Sequence, residues 1–360
     1  IEHELSHSMG SNEITGITHG DFNRDGTTDL VVTNNQGTIT LLQDFTSSYT
    51  GQTNYAFSES VIDNYGDTVF DVSTVDIEID NDQDLIIGAK NGIIYLYENN
   101  GGTFTGRQLL QDSTDDMIAT SVADVDTDGD LDVIASLRPR SAINVYENTA
   151  GTISSTPMTV INTGYEAFGL ASGRFETLDR YQVHFVVGTR DGDVDMHYSD
   201  GSLVKFSSEV LPSPNGVRAT DIDGVTVADL DLDEFLDYVT ISLSQGGTLV
   251  TLFRQKAEIG NFYSTDRKNI YTLTAEATAL SSADIEGDGD IDLIVGTKDG
   301  KIIVLENHII GSITYTDGTS QTAYGRYTDY VQFKYEFNNP HYDYTEYDME
   351  VTWDPAHLKF

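Results

Sequence analysis

Residues 124–132 read DVDTDGDLD. Oxygen-bearing side chains stand at the first, third, fifth and ninth places, a backbone carbonyl is available at the seventh, and glycine stands at the sixth. The pattern recurs as DFNRDGTTD at 21–29, DIEIDNDQD at 76–84, DLDLDEFLD at 229–237 and DIEGDGDID at 284–292. The gap between Asp124 and Asp229 is about twice the other spacings, and residues 171–192, ASGRFETLDRYQVHFVVGTRDG, fill it with Arg174 in place of the first aspartate. Repeats at a fixed period govern the fold before any single element does.

Each acidic stretch leads into a short apolar run, such as LVVT, LIIG, HFVVG or LIVG. A turn and a second alternating run follow: TITLLQD, IIYLYEN, INVYEN, DVDMHYS, TLVTLFR and KIIVLEN. Period-two alternation bounded by Gly, Asn and Asp reads as strand, turn and strand. One more strand precedes each acidic stretch (TSVAD, VTVAD, LSSAD) and another follows the second run (RQLLQD, SEVLP, NIYTL). Four strands per repeat of roughly fifty residues make an all-β chain and a β-propeller of four-stranded blades. Six blades are expected over residues 1–308; a seventh would have to come from residues 309–360, which lack both the acidic loop and the YEN strand.

The loop chemistry calls for a hard cation with six to eight oxygen ligands at flexible distances, which describes calcium better than magnesium. Glycine at the sixth place supplies the left-handed backbone that turns both halves of the loop toward an ion. The expected ligands are Asp21, Asn23, Asp25 and Asp29; Asp76, Glu78, Asp80 and Asp84; Asp124, Asp126, Asp128 and Asp132; Asp229, Asp231, Asp233 and Asp237; and Asp284, Glu286, Asp288 and Asp292. About five sites follow. The fifth loop is the weakest, because Glu234 stands where glycine is wanted. The fourth, with Arg174, is expected to hold no ion.

These nonapeptides and their following strands resemble the FG-GAP/VCBS repeat family, whose best-known members are the β-propellers of integrin α subunits. The resemblance runs over roughly residues 1–307. It implies calcium on one face of the ring and partner-binding loops mostly on the other. The family's Phe-Gly and Gly-Ala-Pro landmarks are mostly missing; AFG at 167–169 is the nearest match.

Composition narrows the function. With 59 acidic residues against 19 Lys plus Arg, the net charge is −40, which excludes nucleic acid or an anionic membrane as a partner for most of the surface. No cysteine is present, so neither disulfides nor thiol catalysis enter. No apolar run reaches membrane-spanning length, and no signal peptide stands at the start. An opening at Ile1 rather than Met is expected of a processed or excised piece. Calcium modules of this type bind with Kd of about 10⁻⁴ to 10⁻³ M, a range suited to the outside of cells, so an extracellular or surface location is expected.

The opening residues pose a competing reading. HELSH at 3–7 has the HExxH spacing of zinc proteases, in which two histidines on a helix hold the metal and the glutamate activates water. Yet Ile1, His3, Leu5, His7 and Met9 alternate with Glu2, Glu4, Ser6 and Ser8, as a strand would. Counted back from Asp21, this stretch falls where a fourth strand belongs, and the last repeat lacks one after KIIVLEN. An N-terminal strand pairing with Lys301–Asn307 would close the ring. No Walker loop, nucleophile elbow or dinucleotide fingerprint is present. The expectation is a non-enzymatic adhesion, ligand-binding or surface-assembly propeller; the alternatives are a polysaccharide-acting propeller enzyme or the remnant of a zinc metalloprotease.

Two further features bear on partners. Lys90, Arg138, Arg140, Arg190 and Lys298 all fall in turns between second and third strands, and Arg218 in a connection on the same side. They outline a weakly cationic face, opposite the acidic loops, suited to a protein or an acidic glycan. Residues 309–360 form a C-terminal β segment, part of a β-sandwich or an assembly element, and hold the only tryptophan, Trp353, among many tyrosines. YVQFKYEF and YDMEVTW read as strands in it, too few to bury themselves.

Overall fold

The computed structural model describes the chain apart from residues 1, 6, 8–9, 50–52, 112–114, 174, 176–182, 200–205, 212–219, 233–234, 245–246, 256–266, 288, 308–309, 315–319, 325–349 and 354–360. Six antiparallel four-stranded sheets form a β-propeller. Blade 1 consists of Ile14–Gly20, Asp29–Asn34, Thr38–Tyr49 and Thr53–Asn64. Blade 2 runs through Val69–Val75, Asp84–Ala89, Ile93–Asn100 and Thr103–Gln111, and blade 3 through Asp116–Ala123, Asp132–Arg138, Ala142–Tyr146 and Thr159–Asn162. Blade 4 has Ala167–Gly173, His184–Thr189, Val194–Ser199 and Phe206–Leu211. Blade 5 has Thr220–Ala228, Asp237–Ser244, Gly247–Phe253 and Arg267–Leu273. Blade 6 takes Ala277–Ala283, Asp292–Thr297 and Ile302–Leu305 from the end of the ring and Glu2–Leu5 from its beginning.

The closure follows the sequence pattern. Glu2 opposes Leu305 and Leu5 opposes Ile302 in an antiparallel register. Leu5 is buried while Glu2 and Glu4 are exposed, as alternation dictates. His3 bonds Glu306 at 3.1 Å, Lys301 bonds Glu4 at 2.9 Å, and the Tyr271 hydroxyl donates to Glu2. The start of HELSH is thus an outer strand, and the helix that an HExxH zinc site requires is not formed there.

Second strands such as DLIIGA and DLIVGT are buried at every position, because neighbouring blades cover both faces. The core is accordingly divided among the blade junctions. Val31, Ile39 and Leu41 of blade 1 pack with Val72, Leu85 and Ile87 of blade 2. Leu5, Ile302 and Val304 meet Ile14, Ile17 and Leu30 across the closing seam. First strands can come close at the axis where a side chain is absent: a Cβ on Gly16 would lie 2.8 Å from the Val72 nitrogen, and one on Gly169 2.8 Å from the Val225 nitrogen.

Beyond the ring, Ile310–Thr314 pairs with both Ser320–Tyr324 and Glu350–Trp353 in a three-stranded sheet. The YDMEVTW strand is therefore present from Glu350; YVQFKYEF lies outside the described residues. Among the described residues no helix is long and apolar enough to cross a membrane.

Candidate metal centre

All five acidic loops connect a first strand to a second, so they gather on one face of the ring. Their shared geometry begins with the ninth residue. Asp29, Asp84, Asp132, Asp237 and Asp292 open the second strands and are 0–1% exposed. Asp132 accepts the Val125 N–H at 2.9 Å with one oxygen and the Asn148 N–H at 2.9 Å with the other. Asp84 does the same with Ile77 and Asn99, and Asp292 with Ile285 and Asn307. The ninth carboxylate thus ties the start of its loop to the end of the third strand. Burial pushes Asp132 up to about 7 and Asp29 up to about 6, and it raises Asp84 and Asp292 as well, with neighbouring carboxylates adding to each shift.

The backbone between the first and ninth residues turns twice through left-handed conformations. The sixth residue does so as expected, at Gly26, Asn81, Gly129 and Gly289. The fourth does so too, without a glycine to announce it in four of the five loops: Arg24 (φ 60°), Ile79 (57°), Thr127 (67°) and Leu232 (57°) join Gly287. β-Branched residues avoid this region, and each such residue costs about 1–3 kcal/mol unless its surroundings compel it. The surroundings are visible in the first two loops. Asp21 accepts the Asp25 and Gly26 N–H groups at 3.0 and 2.9 Å, and Asp76 accepts those of Asp80 and Asn81 at 3.0 Å each. Arg24 reaches from the first loop to the carbonyls of Asp80 and Asn81, and it pairs with Asp82 at 2.7 Å.

The third loop differs in a way that matters for a cation. Ligand oxygens of Asp124, Asp126 and Asp128 all lie within 4.8 Å of one another, the one such group among the described residues. The buried Oδ1 of Asp124 has no hydrogen-bond partner. A buried carboxylate oxygen left unmatched costs about 1–3 kcal/mol or more, and a hard cation would supply the missing partner. The donor set is all oxygen, so the residues fit calcium. Asp132, the fourth expected ligand, is not in that group, and each of its oxygens accepts a backbone N–H. In the fifth loop Arg254 occupies the place held by the YEN glutamate elsewhere and pairs with Asp231 at 3.4 Å, so part of that loop's charge is already matched. Asp233, Asp288 and Arg174 lie outside the described residues. Asp229 and Asp284 line a cavity among the first strands, and Glu286 of the sixth loop accepts the Tyr55 hydroxyl at 3.3 Å.

Sequence reasoning missed the asparagine of the YEN strand. Asn99 donates to the Phe22 carbonyl of the preceding blade at 2.8 Å, Asn307 to that of Leu230 at 3.0 Å, and Asn148 to that of Ile77 at 3.4 Å. Each buried side chain ties a strand end to the acidic loop next door. The recurring YEN triplet was the available signal, but nothing local says that its amide points across a junction.

On the opposite face, the turn cations meet carboxylates that precede or open the first strands. Lys90 pairs with Asp67 (3.3 Å), Arg138 with Asp116 (3.2 Å), Arg140 with Asp115 (2.6 Å), Arg190 with Glu166 (2.6 Å) and Lys298 with Glu276 (2.6 Å). Their charge is matched pair by pair, although the Lys90, Arg190 and Lys298 side chains remain about half exposed. Arg218 lies outside the described residues.

Residues 76–135 match the FG-GAP-like repeat. No curated protein matches the chain. Solved structures with a similar course include two crystal structures of BBS1N in complex with ARL6DN. The one soaked with mercury has 15% identity and a TM-score of 0.47, over 82% of this chain and 92% of that chain. The one soaked with lead has 14% identity and a TM-score of 0.49, over 84% and 95%. The chain is a six-bladed β-propeller that carries an FG-GAP-like repeat across its second and third blades.

Proposed function

We propose that this protein is a calcium-stabilised, non-enzymatic β-propeller that works outside the cell or at its surface in adhesion, ligand binding or assembly. The observation that carries the calcium reading is the third loop, where three carboxylates converge around a buried oxygen without a partner. Repetition of the loop at equivalent points of the ring supports calcium as a staple of the fold, because the clustered carboxylates repel until a cation arrives. The location follows from the affinity such loops have, which suits millimolar calcium. Calorimetric titration with calcium tests the site: Asp128→Ala should remove the tightest binding event, whereas Asp231→Ala, in a loop already part-neutralised by Arg254, should leave it in place. Unchanged binding in Asp128→Ala would overturn the assignment.

The partner is read as a protein or an acidic glycan, met by the half-exposed Lys90, Arg190 and Lys298 on the turn face. A glycan array with and without calcium tests it. The C-terminal sheet supports a role in assembly, since among the described residues its three strands leave two edges, and such edges recruit strands. Deleting residues 311–360 should lower the mass measured by light scattering in calcium buffer. A full-length chain already monomeric at high concentration would end that reading.

A further inference from the structure

The buried asparagines at the ends of the third strands join one acidic loop to the next. The Asn99 N–H donates to Asp84 at 2.7 Å, while its side-chain amide donates to the Phe22 carbonyl at 2.8 Å. Phe22, the second residue of loop 1, donates its own N–H to Asp29 at 3.1 Å. The ninth carboxylates of loops 1 and 2 are thus connected through two residues. The path continues into loop 3. Asp84 accepts the Ile77 N–H at 3.1 Å, the Ile77 carbonyl accepts the Asn148 amide at 3.4 Å, and the Asn148 N–H donates to Asp132 at 2.9 Å. Arg24 adds a second tie between loops 1 and 2, through the Asp80 and Asn81 carbonyls and Asp82. Elsewhere in the ring, Asn307 joins Asp292 of loop 6 to the Leu230 carbonyl of loop 5.

This path does not run round the whole ring. Strand register puts Asp44 of blade 1 at the place that Asn99 holds in blade 2. An ionised carboxylate has no hydrogen to donate. Asp44 instead accepts the Ser58 hydroxyl at 2.7 Å, and its backbone is left-handed (φ 59°). Within blade 1 the connection is missing too. Oδ1 of Asp29 is buried without a hydrogen-bond partner, whereas Oδ1 of Asp84, Asp132, Asp237 and Asp292 each accepts the backbone N–H at that place. Tyr55 crosses from blade 1 to Glu286 of loop 6, but it does so from a fourth strand and not from the residues that hold loop 1. In blade 4 the place falls to Ser199, which has no amide, behind a loop with Arg174 for its first aspartate.

We propose that the acidic face is divided into two cooperative cation-binding arcs, loops 1–3 and loops 5–6, and that within an arc binding at one loop strengthens binding at the next. The proposal rests on the calcium reading above. Ordering a loop fixes its second residue, and the carbonyl of that residue orients the amide whose backbone N–H holds the next ninth carboxylate. The second loop then has less conformational freedom to lose, which is positive coupling, and by linkage it acts in both directions.

The test is calorimetric calcium titration of the full chain at about 0.15 M salt, where long-range attraction is screened. The quantity followed is the tightest event, which Asp128→Ala assigns to loop 3. Asp80→Ala, at an exposed position of loop 2, should weaken that event about fivefold or more. Asp284→Ala, which removes a carboxylate from loop 6, should leave it unchanged. Asn148→Ala cuts the path without altering charge, so in that background Asp80→Ala should have a clearly smaller effect, the remainder being direct electrostatics. The comparison of Asp80→Ala with Asp284→Ala decides by itself where Asn148→Ala fails to fold. A tightest event indifferent to Asp80→Ala, an equal loss in Asp284→Ala, or an undiminished Asp80 effect without Asn148 would overturn the proposal and leave the calcium reading standing. A wild-type chain that takes up no calcium would overturn both.

Discussion

A chain lacking residues 1–5 should melt on the order of 10 °C below the full chain. That segment is the whole fourth strand of blade 6. Its loss removes Leu5 from the seam cluster, worth about 2 kcal/mol or more by burial alone. It also strips Ile302–Leu305 of its ladder partner and breaks the bonds from Glu306 and Lys301. Net contributions of about 1 kcal/mol for each lost backbone ladder bond bring the total to several kcal/mol, a large part of what holds a domain folded. At this chain length each kcal/mol moves the melting temperature by about 2–4 °C. The new edge is apolar, so association of the shortened chain should accompany the loss. Differential scanning calorimetry checks the first effect and light scattering the second. A melting temperature unchanged by the deletion would mean that the ring does not depend on this closure.

Excess chelator should lower the melting temperature by a comparable amount. An ion that binds only the folded chain adds RT ln(1 + [Ca]/Kd), about 1.4 kcal/mol per site at ten times Kd, and several loops add. The increment should also depend on pH, in a direction set by the buried ninth residues. Asp132 and Asp29 have folded-state values raised to about 7 and 6, so the folded chain binds more protons than the unfolded chain between about pH 4 and pH 7. Their ionisation therefore costs stability as pH rises through that window when no cation is present. In chelator the melting temperature should climb as pH falls from about 8 to about 5. With calcium the gain over chelator should shrink across the same range, since protons compete for the same carboxylates. A calcium increment that grows on acidification would contradict this account.

Much of the architecture was legible because its determinants are local. Alternation in IIYLYEN and KIIVLEN, the turns between them, and the nonapeptide before each second strand give strand, order and blade without reference to any distant residue. The closing strand could also be read, since Leu5 and its neighbours alternate and the last repeat lacks a fourth strand. Within the loops, a glycine at the sixth place announces a left-handed turn because glycine adopts one freely. Arg24, Ile79, Thr127 and Leu232 announce nothing, because their conformation is imposed by bonds that other parts of the loop and the next blade make. The same holds for the Asn99, Asn148 and Asn307 amides, for the pairing of Arg254 with Asp231, and for the turn cations matched by carboxylates some 22–25 residues away in sequence. Periodicity specifies which face of a strand is buried, but only the packing of one blade on the next decides which polar groups meet. That is why the sequence alone could nominate five acidic loops, while tertiary structure decided that Asp124, Asp126 and Asp128 converge.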